Sequence, residues 1–91
     1  MGLLAGRSPG EEQITRSLAS PQHARVADML RERRKVAGLT QAAVAQKMDR
    51  PQSFVADVEA GQRRLDVIEF LNFARAIGFD AEEFLALLQT G

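Results

Sequence analysis

Apolar residues recur along this chain three and four positions apart, and no stretch shows the sustained alternation of a strand. Val26, Ala27, Leu30 and the stem of Arg34 fall near one helical face, which predicts a helix over 21–36. Ser20 suits its N-cap, and Pro21 suits the first helical position, where a missing N–H costs nothing. Gly38 is the expected left-handed stop. Thr40 caps a second predicted helix over 41–48, with Val44, Ala45 and Met48 as its stripe. Asp49-Arg50-Pro51 breaks the pattern, and a third helix is predicted over 51–60, with Val55 and Val58 inward and Gly61 at its end. After the loop at 62–65, Asp66 and Glu69 have capping-box spacing. They open a fourth helix to 77 that buries Phe70, Leu71, Ala74 and Ile77, with Phe73 also in the core, and Gly78 closes it. Asp80 and Glu83 repeat the capping pattern for a fifth helix over 81–89. Its Phe84, Leu85, Leu87 and Leu88 either finish the core or meet a second copy.

Five short helices with short connections predict an all-α bundle in one domain over 21–91. Residues 1–20 read as a tail, because Gly2, Gly6, Ser8, Pro9 and Gly10 disfavour regular structure. A short helix is expected at 11–18, with the tail mobile unless a partner orders it.

Composition narrows the chemistry. Cysteine is absent and His23 is the single histidine, which removes disulfides and the usual zinc ligand sets. Apolar runs fall far short of the roughly 18 residues of a membrane span, and Leu3, Leu4 and Ala5 are too brief for a signal peptide. The expectation is a soluble, cytoplasmic protein without a cofactor. No nucleophile–base pair, metal cluster or phosphate loop stands out, so no enzyme is expected. Twelve basic residues balance twelve acidic ones. Their placement is uneven: residues 21–66 hold nine bases against six acids, and residues 67–91 hold one base against four acids.

The informative stretch is 41–60. Two short helices separated by a three-residue break must cross steeply for both apolar stripes to reach one core. Ala45 is small where they approach most closely. Gln52, Ser53, Ala56 and Asp57 are left on the outer face of the third helix. Such a face, projecting from a rigid corner, is what enters a DNA major groove.

The run Ala37-Gly38-Leu39-Thr40-Gln41, then Val44-Ala45, Met48, Pro51-Gln52-Ser53-Phe54-Val55 and Glu59-Ala60-Gly61-Gln62-Arg63-Arg64 resembles the Xre/Cro family of phage-repressor-type regulators, over about residues 24–88. The resemblance implies a five-helix repressor-like fold binding double-stranded operator DNA, usually as a two-fold dimer. It places Thr40 and Gln41 at a phosphate, where a helix N-terminus suits an anion. It places Gln52 and Ser53 at the start of the recognition helix, where glutamine can bond adenine N6 and N7. Arg63 and Arg64 would meet the sugar-phosphate backbone, with Arg50 as a further contact. Arg34 and Glu59 match an ion pair joining the first and third helices. Asp49 stands where the family usually has a turn glycine. Asp57 would repel phosphates or accept from cytosine N4, and Ala56 would touch at most a thymine methyl. Phe54 is placed at the interface or partly in the core.

Plainer readings stand beside these. His23 reads as a surface residue, the 31–35 basic run as a mostly solvated face, and Glu82-Glu83 as helix-start charges. The leading function is a sequence-specific transcriptional regulator, expected to be a repressor. The alternative is an antitoxin-type or other protein-interaction module on the same scaffold, with the N-terminal tail as the candidate contact for a protein partner.

Overall fold

The computed structural model describes residues 20–90. Five helices follow one another: α1 (Pro21–Val36), α2 (Gln41–Met48), α3 (Gln52–Glu59), α4 (Val67–Ile77) and α5 (Ala81–Thr90). There is no strand among the described residues, and no helix there is long and apolar enough to cross a membrane. The short helix expected at 11–18, and the tail as a partner contact, lie outside the described residues.

The helix ends follow from local chemistry. Ser20 Oγ accepts from the His23 amide at 3.0 Å, and Thr40 Oγ1 accepts from the Ala43 amide at 3.0 Å. Each satisfies a first-turn donor that the helix itself cannot. Asp66 and Glu69 form the reciprocal capping box. Asp80 Oδ1 accepts from the amides of Glu82 and Glu83. The α2–α3 turn depends on Asp49, whose φ of 57° and ψ of 46° place it in the left-handed region. Aspartate tolerates that region better than most side chains. Pro51, expected inside the third helix, is instead its N-cap, with extended ψ of 153°.

α2 packs on α3 and α4, and α1 packs on α3 and α5. The core they enclose contains Leu30, Val44, Val55, Phe73 and Phe84, all with essentially no exposure. Every phenylalanine of the chain takes part. Phe54 stacks on Phe73 with centroids 5.8 Å apart, and Phe70, Phe79 and Phe84 form a triangle with centroids 5.0–5.9 Å apart. Leu71, expected on the buried side of α4, is exposed. The stripe Phe70, Phe73, Ala74 and Ile77 fills the inward arc, and Leu71 lies one helical step beyond it. On α5 only Phe84 is fully buried, while Leu85 and Leu87 stay exposed. Polar contacts close the α1–α5 seam: Arg25 Nη2 donates to the Leu87 carbonyl at 2.9 Å, and Arg33 lies 3.7 Å from Glu83.

Candidate nucleic-acid interface

α3 is held from one side. Phe54, Val55, Val58 and Glu59 are buried, while Gln52, Ser53 and Asp57 are exposed and Ala56 is half-buried. Residues at i, i+1, i+4 and i+5 share a helical face, so the four inward positions leave the other four as a contiguous outer surface. Phe54, counted among the interface candidates, belongs to the core: it is 6% exposed and its ring is engaged by Phe73.

A polar chain runs from this surface to the interior. Gln52 Nε2 lies 3.4 Å from Gln41 Oε1, and Gln41 Nε2 donates to Glu59 Oε1 at 3.0 Å. Glu59 is also gripped by Arg34, whose Nε donates to Oε2 at 2.6 Å and whose Nη2 donates to Oε1 at 3.0 Å. Arg34 Nη1 reaches the Leu39 carbonyl at 2.9 Å. The two side chains are 12% and 4% exposed, so this is a buried, two-pronged pair linking α1 to α3. Burial pushes the Glu59 carboxyl up. The hydrogen bonds from Arg34 and Gln41, with the charges of Arg34 and Arg31, outweigh it and hold the group below its ordinary range. The hydrogen bond to Glu59 raises Arg34 in turn, against the opposing effect of burial.

A second cluster was not foreseen from the sequence. Glu69, buried on α4, accepts from Arg63 Nη1 through Oε1 at 2.9 Å and from Arg50 Nη2 through Oε2 at 3.3 Å. Both guanidinium groups also lie against the Phe54 ring, at 4.4 and 4.6 Å from its centroid. The Arg63 hydrogen bond is the largest influence on Glu69 and lowers it; burial opposes, while the Asp66 amide and the charges of Arg63 and Arg50 assist. Arg50 and Arg63, expected as phosphate contacts, are therefore tethered at both ends of α3, yet 40% of each side chain remains open. The sequence signal was the pair of arginines flanking a helix that carries a phenylalanine. Their shared acid sits on another helix, 19 residues from Arg50.

The other candidates fall around α3. Thr40 and Arg64 are exposed. His23 is half-buried, with Nε2 3.3 Å from the Gly61 carbonyl just beyond α3. The 31–35 basic run is largely engaged within the protein: Arg31 donates to the Glu59 carbonyl at 3.2 Å, Arg33 faces Glu83, and Arg34 holds Glu59.

The comparisons agree with this geometry. The helix-turn-helix domain family matches residues 25–87. Among solved structures, an XRE-family like protein from Pseudomonas syringae pv. tomato str. DC3000 is similar, at 42% sequence identity and a TM-score of 0.75. The likeness covers 84% of this chain and 95% of that one. No curated protein sequence matches the chain. With both helices of the motif, their left-handed turn and the open face of the second in place, the chain belongs to the Xre-type helix-turn-helix family, a family of DNA-binding regulators.

Proposed function

We propose that this protein is a sequence-specific transcriptional repressor that reads operator DNA with α3. The observation that carries the proposal is the division of α3 into a face locked in the core and an open face of Gln52, Ser53, Ala56 and Asp57. A helix fixed in this way reaches base edges with little conformational freedom left to lose on binding. Gln52 bonds adenine, Asp57 accepts from cytosine N4, and Ala56 meets a thymine methyl. Thr40 and Gln41, at the start of α2, take a backbone phosphate, and Arg50, Arg63 and Arg64 take others on either side. Two copies bind a two-fold operator, each reading one half-site. The protein acts in the cytoplasm.

Selection from random duplexes at low and moderate salt tests this reading. The expected result is an inverted-repeat motif. Gln52→Ala weakens binding to it by about 1–3 kcal/mol and relaxes the preference at one position of each half-site. Failure of the wild type to enrich any motif would remove the reading. The exposed acid Asp57 on the open face favours a second reading, a protein-binding or antitoxin-type module. Affinity for a protein partner and indifference to duplex DNA would select it.

A further inference from the structure

Glu69 lies on α4, outside the helix pair of α2 and α3. It nevertheless joins one arginine from each end of α3, Arg50 before the helix and Arg63 after it. We infer that Glu69 is a positioning residue for DNA binding, holding Arg50 and Arg63 as a preset pair of guanidinium groups for the DNA backbone. This rests on the DNA-binding reading above.

The geometry argues for a clamp rather than simple neutralisation. One carboxylate faces two guanidinium groups and spends a different oxygen on each, with Asp66 and Asp57 adding negative charge near Arg63, so what Glu69 contributes is a fixed geometry for two groups at once. Arg50 uses Nη2 on Glu69, and Arg63 uses Nη1 on Glu69 and on the Arg64 carbonyl. Each arginine has five N–H donors, so both retain Nε and one terminal nitrogen for phosphate oxygens. The Phe54 ring beneath them restricts the guanidinium planes further. Glu69 is itself fixed, because Oε1 also accepts from the Asp66 amide at 3.2 Å in the capping box. Long side chains ordered beforehand lose less freedom when they meet phosphate.

The sign of one mutation separates this role from bulk electrostatics. Glu69→Gln removes a negative charge beside the DNA, which alone would tighten binding to every sequence. The clamp requires the opposite. Binding of a mixed-sequence duplex and of the selected operator would be followed by fluorescence anisotropy over a series of salt concentrations, with folding of each protein checked by circular dichroism. Glu69→Gln is expected to bind about ten-fold more weakly, the order of one lost charge-assisted hydrogen bond. Its plot of log affinity against log salt should be shallower by about 0.9, the equivalent of one phosphate contact. Unchanged or tighter binding by folded Glu69→Gln overturns the inference and leaves the DNA reading intact. Should that variant not fold, Glu69→Asp decides, since it keeps the negative charge and both phosphate-facing arginines but is one methylene too short to hold Arg50 and Arg63 together. Weaker binding with a shallower slope supports the clamp, and wild-type affinity overturns it. A wild type that binds neither duplex at low salt removes the DNA reading, and the clamp with it.

Discussion

Truncating either Arg34 or Glu59 leaves the other charge in a site that water barely reaches. Each single alanine variant is expected to lose about 3–5 kcal/mol in urea unfolding, while the apolar double variant Arg34→Met/Glu59→Leu loses much less than the two losses combined. Glu59 and Glu69 both bind protons less readily when folded than when unfolded. Their contribution to stability is present above the unfolded carboxylate range, about pH 4.3, and is lost as pH falls through the folded values. Unfolding midpoints measured from pH 7 to pH 3 should therefore drop below about pH 4.5, and a Glu59→Gln/Glu69→Gln double variant should show a flatter profile. The Arg34–Glu59 pairing was legible through the family pattern. The Glu69 cluster was not, because its members come from a turn, a loop and a helix that only the tertiary fold brings together. Phe54 was ambiguous for a related reason: a ring in the first turn of α3 fits a core or an interface, and the position of Phe73 decides which.

Among the elements, helix limits were the most legible feature, since caps are local chemistry. Ser20, Thr40 and Asp66 each cap the helix they were expected to open. Asp66→Ala breaks the capping box and should destabilise the domain by about 1 kcal/mol in thermal or urea melts. The α2–α3 turn has a different sensitivity. Asp49→Val places a β-branched side chain at φ 57°, with an expected loss of about 1–2 kcal/mol by the same measurement, whereas Asp49→Gly is tolerated. Periodicity was less decisive on α4 and α5, where apolar residues outnumber the inward positions. Leu71, Leu85 and Leu87 remain exposed, while the inward arcs of α4 and α5 are taken by Phe70, Phe73, Ala74, Ile77 and Phe84.

For the whole molecule, the balance of charge conceals a division. Bases concentrate in 21–66, which contains the helix pair, and acids concentrate beyond it. Part of that basic charge is consumed internally by Glu59, Glu69 and Glu83. DNA affinity should therefore fall with salt as expected for only a few phosphate contacts per copy, each adding about 0.9 to the slope. A titration from low to moderate salt measures that number directly. The division of labour within α3 also bears on how new specificities arise. Four of its side chains are buried in the fold, and the other four lie on the open face that the proposed reading assigns to DNA. The open set can drift or be recoded as a cassette: a library of helix-compatible residues at the exposed Gln52, Ser53 and Asp57 should yield proteins that still melt cooperatively, each change costing within about 0.5 kcal/mol. Such a scaffold can acquire a different target without first having to learn to fold again.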